Sequence, residues 1–418
     1  MDSDSATAVR AFRPLPAPVS APGADGCPPF RWSVLAASPA DSLAAALRHA
    51  HRPDGEPAIA VVLGTAHRPD DDALLLEGAA RATATGRRLV LLHRGAGGGS
   101  LLRAAALESP GLRVTVLQTA GPVDGTRIAH LVRTARPVDE LHVAADGTVT
   151  RDDWRPVTLP ARPGPAAARP GGTVLVTGGL GGLGLRAAGV LSRVAGCRPV
   201  LLDVTAPAEL RRRPAVLLER LRAAGAVVLT ADLTDPRAVA AALERVPGPV
   251  RAVVHCAGLV AGGPVARTRP EDLARLRAAK VNGLRHVLDA LDPAELRQLV
   301  TFGSITARVP HRQMGGYGLA NELLRHETLR RAAALPHCAT VVAEWSVWSG
   351  AGQAHEMRAV DQARRMGMAP VALAPGMTAL LRLLRWPPGP AHAAPVILTG
   401  PGDVTFPPPA DCARNSPT

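Results

Sequence analysis

An apolar run, Thr173–Thr177, passes straight into a glycine-rich turn, Thr177-Gly178-Gly179-Leu180-Gly181-Gly182-Leu183-Gly184. From Leu183 to Val194, the residues Leu183, Ala187, Val190, Leu191 and Val194 fall on one helical face. Strand, glycine turn and helix in that order constrain the fold strongly. The backbone must reverse tightly and leave room for a close approach, which only glycine permits. The helix N-terminus that follows offers unpaired N–H groups and a partial positive charge, a seat for a pyrophosphate. In a chain with 41 glycines a glycine string alone says little; placed between a strand and a helix it points to a dinucleotide-binding sheet. Thr177, Gly178, Gly179, Leu180, Gly181, Gly182 and Gly184 are its candidate cofactor residues.

The chain beyond repeats the alternation. Strands are expected at Pro199–Asp203, Ala226–Thr230, Ala252–His255, Gln298–Phe302, Thr340–Glu344 and Val396–Thr399, with helical stretches between them. This spacing implies a parallel, doubly wound α/β sheet. Asp203 ends the second strand, nineteen residues beyond Gly184, where an acid accepts hydrogen bonds from an adenosine ribose and repels a 2′-phosphate. Asp232, with Leu233, follows the third strand and is expected to contact the adenine amino group; the plainer alternative is an acid at a helix start before Pro236. His255-Cys256-Ala257-Gly258 ends the fourth, its small residues Ala257 and Gly258 letting a dinucleotide cross the sheet edge. Cys256 reads as a packing residue, with no basic partner evident.

Residues 29–156 also read as α/β. Ala58–Leu63, Arg88–Leu92 and Val114–Gln118 are strand-like, and Pro39–His49 and Asp72–Thr85 are helical. Gly97-Gly98-Gly99 shows no pattern that opens a helix. The expected organisation is a flexible tail at 1–28, a structural Rossmann-like subdomain at 29–156, a Pro/Gly-rich linker at 157–172, a catalytic NAD(P)-binding subdomain at 173–400 and a tail at 401–418.

Composition excludes several classes. The formal net charge is +13, but the arginines are scattered and not interleaved with aromatics, which argues against nucleic acid as a partner. Five widely spaced cysteines form neither a disulfide framework nor a zinc pattern, so no metal is expected. The start lacks a basic and apolar leader, and no apolar stretch is long enough to span a bilayer. A cytoplasmic protein is expected.

Lys280 is the only lysine and Tyr317 the only tyrosine. Ser304 lies thirteen residues before Tyr317, and Asn321 four residues after it, on the same helical face. With the glycine turn, His255–Gly258, Ala279–Gly283, Gly303-Ser304 and Tyr317–Asn321, the chain resembles the short-chain dehydrogenase/reductases, and within them the ketoreductase domains of modular polyketide synthases. Glu344–Ser349 resembles their Trp-Gly-x-Trp segment, Met366–Met368 the stretch after their lid, and Leu141–Val157 the closing hairpin of their truncated structural subdomain. Common short-chain reductases carry Lys four residues after Tyr; here Asn321 holds that place and Lys280 lies upstream, the exchange that synthase ketoreductases show.

The resemblance implies an enzyme that reduces a β-ketoacyl thioester on an acyl carrier protein, whose acidic surface suits a basic chain. Tyr317 is then the general acid, Ser304 hydrogen-bonds the carbonyl oxygen, Lys280 lowers the Tyr317 pKa and contacts the nicotinamide ribose, and Asn321 supports Lys280 or a relay water. NADP(H) is implied by the family, whereas Asp203 followed by Val204, where an Arg is usual, suggests NAD(H), or a 2′-phosphate held by an Arg from elsewhere such as Arg211, Arg212 or Arg213. The stereochemical markers of the family are absent near Val260–Gly262 and at Val309. Ala307–Gly316, with Arg308, His311, Arg312 and Gln313, is unusually basic and suggests an unusual substrate. Two other readings compete: an NAD-dependent alcohol dehydrogenase acting on a free small ketone, and a non-catalytic reductase-like structural domain. Oligomeric state is not legible.

Overall fold

The structure, a computed structural model, describes residues 9–19, 29–38, 40–160, 172–193, 197–356, 360–365, 367–389 and 392–401. The tails beyond these, Val194, Met366 and most of the expected linker lie outside the described residues.

The first half comprises β1 (Arg10–Pro18), β2 (Phe30–Ala36), α1 (Ser42–His49), β3 (Glu56–Val62), α2 (Pro69–Thr85), β4 (Arg88–His93), α3 (Gly99–Glu108), β5 (Val114–Thr119), α4 (Gly125–Thr134), β6 (Val138–Val143) and β7 (Val149–Pro156). The second begins with β8 (Thr173–Thr177), α5 (Gly182–Leu191), β9 (Arg198–Asp203), α6 (Arg212–Ala223), β10 (Val227–Thr230), α7 (Pro236–Leu243), β11 (Val250–His255) and α8 (Pro270–Arg277). A π-helical turn, Ala278–Asn282, leads into α9 (Gly283–Asp289), β12 (Gln298–Ser304), α10 (Gly315–Ala334) and β13 (Ala339–Trp345). The chain ends in β14 (Trp348–Ser349), α11 (Gln353–Glu356), α12 (Val360–Arg365), β15 (Val371–Ala372), α13 (Leu373–Leu383) and β16 (Ala394–Thr399).

Fourteen strands form one sheet in the order β10-β9-β8-β11-β12-β13-β16-β1-β7-β6-β5-β4-β3-β2. Strands β8 to β13 and β16 are mutually parallel, as are β2 to β6. Helices cover both faces, so central strands such as Thr173–Thr177 are buried throughout and read as continuous apolar runs. The doubly wound α/β class expected from the sequence is what forms, as two half-sheets fused into one. The hairpin of β6 and β7 is antiparallel, as Leu141–Val157 suggests.

Two expectations are corrected. The supposed flexible tail contains β1, which pairs antiparallel with β16 through Arg10–Phe12 and with β7 through Phe12–Pro18, and so fuses the two halves. Its Pro14, Pro16 and Pro18 disguise it as a tail. They fall where β1 no longer pairs with β16, so their missing N–H groups interrupt no ladder on that side. The second correction is α3, which does open at the glycines 97–99. Gly97 and Gly98 have φ of +76° and +115°, and the helix begins at Gly99.

The N-terminus of α3 is filled from the other half. Glu322 on α10 accepts from Gly98 N and Gly99 N at 3.1 and 3.3 Å through Oε1, and from Ser100 N and Oγ at 2.9 and 2.5 Å through Oε2. Burial pushes this carboxyl up, but His326, Arg325 and the Ser100 hydrogen bond outweigh it and hold the pKa below the ordinary value. Nearby, fully buried Glu344 takes Arg325 Nη1 at 3.0 Å and the Arg308 guanidinium, which also reaches Asp152 of β7. One apolar core runs across the joint, from Leu75 and Leu101 to Leu319 and Leu323.

Candidate active site

The strand order reverses between β8 and β11, and the glycine turn sits at their carboxyl ends. Such a switch point leaves a crevice for a ligand. Gly178 has φ +62°, and a Cβ there would lie 2.9 Å from both Cα and N of Ala257. A Cβ on Gly184 would run into the Gly178 carbonyl oxygen. Gly181 caps α5 and offers no side chain to accept from its first-turn amides. The cradle therefore fits a dinucleotide pyrophosphate.

Asp203 stands behind the turn. Its Oδ2 accepts from Leu180 N and its Oδ1 from Thr205 N, each at 2.9 Å. A carboxylate has acceptor capacity for about four hydrogen bonds, so two remain for a ribose. Val204 beside it is 64% exposed. Asp232 is exposed and its Oδ1 accepts from Thr234 N at 2.8 Å, while Asp235 is the residue that caps α7 before Pro236. Leu233 is buried over Gly283, and its carbonyl accepts from His286 Nδ1 at 2.8 Å.

Lys280 lies inside the π-helical turn, which turns Lys280 and Val281 inward. Such turns recur at functional sites because the inserted residue disturbs the regular ladder. The Lys280 carbonyl takes the Nε2–H of His255 at 2.8 Å, and the His255 Nδ1 lies 2.7 Å from the Thr177 hydroxyl. Burial, then the Lys280 charge, pushes His255 down to about 3, so this imidazole is neutral and links β8, β11 and the turn. The Lys280 ammonium donates to the Phe302 carbonyl at 3.1 Å, and burial pushes its pKa down to about 8. Gly258, at φ +151°, makes room for it: a Cβ there would lie 2.6 Å from Lys280 Cε. Cys256 does have a basic neighbour in Lys280, contrary to expectation; burial dominates and pushes the thiol up, which keeps it a packing residue.

Ser304 ends β12, and its Oγ accepts from the Thr306 amide at 3.3 Å and hydroxyl at 3.0 Å. Tyr317 sits in the first turn of α10. Asn321 Nδ2 donates to the Tyr317 carbonyl at 2.8 Å, and its buried Oδ1 has no partner among the described residues. Burial raises the Tyr317 phenol, while the Asn321 and Ser304 side chains pull the other way. The Lys280 ammonium is directed at the Phe302 carbonyl, on the same cavity lining as Tyr317.

One cavity of about 360 Å³ connects these parts. Gly178, Gly181, Gly182 and Gly184 of the glycine turn line it together with Gly258, Lys280, Ser304 and Tyr317. Thr177, Gly179, Leu180, Asp203, Asp232, Leu233, Ala257 and Asn321 do not line it. Trp345 and Trp348 form its aromatic wall, ring centres 4.6 Å apart, and pack with Phe302. Of the basic segment, His311, Arg312 and Gln313 line this cavity and Arg308 does not. Arg308 is held in its buried ion pairs, and Arg312 Nη1 donates to the Leu107 carbonyl at 2.6 Å. A residue that sequence reasoning missed is Gln353, whose side chain accepts from Val260 N at 2.8 Å and donates to the Gly258 carbonyl at 2.9 Å. No local pattern marks it, because its partners lie over ninety residues away.

Residues 172–350 match the family model of the KR domain. Over 279 residues the chain is 33% identical to the pikromycin polyketide synthase component PikAIII of Streptomyces venezuelae, covering 65% of this chain and 17% of that protein. The chain thus spans about a sixth of the length of that relative. Among solved structures, the first-module ketoreductase of phoslactomycin biosynthesis from Streptomyces sp. HK803 aligns at 26% identity and a TM-score of 0.75, covering 98% of this chain and 97% of that one. A-type ketoreductases from a modular polyketide synthase align at 23% and 0.78, covering 99% and 96%. Residues 172–350 are thus similar to the KR domain, and the fold is that of solved polyketide-synthase ketoreductases. No helix among the described residues is long and apolar enough to cross a membrane.

Proposed function

We propose that the chain reduces a β-ketoacyl thioester, delivered on an acyl carrier protein, to the β-hydroxyacyl thioester. The observation that carries this reading is the single cavity that reaches from the open end of α5 to Lys280, Ser304 and Tyr317. Bound along the glycine turn, a reduced nicotinamide supplies hydride to the carbonyl carbon. Ser304 and Tyr317 hydrogen-bond the carbonyl oxygen, and the phenol gives up its proton as charge develops there. A phenol raised by burial holds its proton until that moment. Lys280, protonated below about pH 8, stabilises the phenolate left behind and returns the proton. Asn321, whose Oδ1 is free to accept, orients the ammonium or a relay water.

The dinucleotide we favour is NADH. Asp203 keeps acceptor capacity for a ribose, its negative charge opposes a 2′-phosphate, and Val204 offers no guanidinium to hold one. The net charge of +13 suits an acidic carrier protein.

The test follows absorbance of the reduced cofactor, with NADH and NADPH in parallel, on a carrier-bound β-ketoacyl thioester. Tyr317→Phe is expected to lower kcat by about 10²–10⁴ with cofactor affinity unchanged. Faster turnover with NADPH overturns the reading of Asp203. Turnover of a free ketone but not of the thioester supports an alcohol dehydrogenase, and a folded protein that binds neither cofactor supports a silent structural domain.

A further inference from the structure

Gln313 is the one residue other than glycine with positive φ among the described residues, at +64°. A side chain makes this left-handed conformation unfavourable, so the surroundings must enforce it. Gln313 is the third residue of a turn closed by Met314 N on the His311 carbonyl, and an acid from the opposite half binds its amide. Glu108 ends α3, and its Oε1 accepts from Gln313 N at 2.7 Å while its Oε2 accepts from Val265 N at 2.6 Å. The Gln313 carbonyl in turn accepts from Gly263 N at 2.7 Å. An acid at a helix C-terminus faces the negative end of the helix dipole, an unfavourable place that the two captured amides offset. Gly262, Gln313 and Met314 line the cavity, and Gln313 stands four residues before Tyr317, at the entry to α10.

We propose that Glu108 is a positioning residue for the reduction. By clamping two amides it holds the 262–265 loop and the strained Gln313 turn together, and so shapes the substrate wall beside Tyr317. The half without the glycine cofactor turn thereby takes part in substrate selection. The inference rests on the reductase reading above.

Two measurements on the full chain test it, using Glu108→Ala, Glu108→Gln and the double variant Glu108→Ala/Gln313→Gly. Amide hydrogen exchange reads the clamp, and steady-state kinetics with a β-ketoacyl N-acetylcysteamine thioester read its consequence. In Glu108→Ala the amides of Gln313 and Val265 are expected to exchange faster. KM for the thioester rises about tenfold, the factor equivalent to the left-handed penalty, while NADH affinity stays constant. Glycine at 313 adopts the turn without that penalty and restores KM in the double variant. Glu108→Gln, with one acceptor oxygen left, falls between. Unchanged exchange at both amides overturns the proposal, as does a KM rise that the double variant does not recover or that comes with equal loss of NADH affinity. Should the wild type reduce no thioester, the reductase reading fails separately, and the exchange data still decide whether Glu108 holds Gln313.

Discussion

Helices α5 and α3 both open on glycine turns, and their first turns meet different surroundings. At α5 the first turn faces a cavity, and Gly181 provides no side chain to cap it. At α3 the amides of Gly98, Gly99 and Ser100 converge on the Glu322 carboxylate. Both ends attract negative charge for the same reason, unpaired N–H groups and an aligned dipole. What differs is the supplier of the anion. Helix α10 carries Glu322 across the joint to α3, whereas the α5 end is the one the proposed cofactor would fill. A helix end becomes a binding site only where the fold declines to fill it. The same α10 carries Tyr317 and Asn321, so the contact that closes one end also braces the residues that serve the other.

The sharpest way to break this contrast is Glu322→Ala. It strands three buried amides and the Ser100 hydroxyl, and should cost about 3–5 kcal/mol in urea unfolding, with NADH affinity of the folded protein retained. A loss below about 1 kcal/mol would mean that the carboxylate is not what satisfies α3. At the open end, Gly182→Val places a side chain at the first residue of α5, on the cavity lining. Cofactor affinity should fall at least about tenfold, as for a lost hydrogen bond to a charged group, with unfolding free energy little changed. If stability falls instead, α5 is structural in the way α3 is.

The two ends should also titrate apart. Glu322 has a depressed pKa, so its contribution is complete above the ordinary value of 4.5 and is lost as pH falls below it; Glu322→Gln should flatten that acid limb. Lys280 is depressed from 10.5 to about 8, so between those values the unfolded chain binds more protons and stability should rise with pH. Lys280→Met should remove this rise, measured as unfolding free energy against pH. Turnover should fall as pH passes about 8, where the proton-returning form disappears. The smallest effect is expected from Thr177→Val, which removes the hydroxyl beside His255 and should cost about 1 kcal/mol.

Much of the second half was legible in the chain alone. Thr173–Thr177 and the glycine turn appear where expected because strand, turn and helix signals are local. Tyr317 and Asn321 share a helical face because four residues make about one turn. The first half was less legible. The prolines of β1 mimic a tail, and their tolerance depends on which neighbour ends first. The glycines 97–99 lack a side-chain cap of their own, since the cap is Glu322, more than two hundred residues away.

The sequence by itself determined the doubly wound class, the strand, glycine turn and helix from Thr173 to Leu191, and the shared helical face of Tyr317 and Asn321. Periodicity and short spacings are enforced by covalent geometry, so residues a few positions apart carry their own arrangement. Only the tertiary structure decided how hydrogen-bonding capacity is shared among distant partners. It gave the Asp203 oxygens to Leu180 and Thr205, turned the Lys280 ammonium to Phe302, and placed Glu108 on Gln313 and Val265. Buried polar groups must find partners, and which partner is within reach is set by packing across the joint, which no local spacing records.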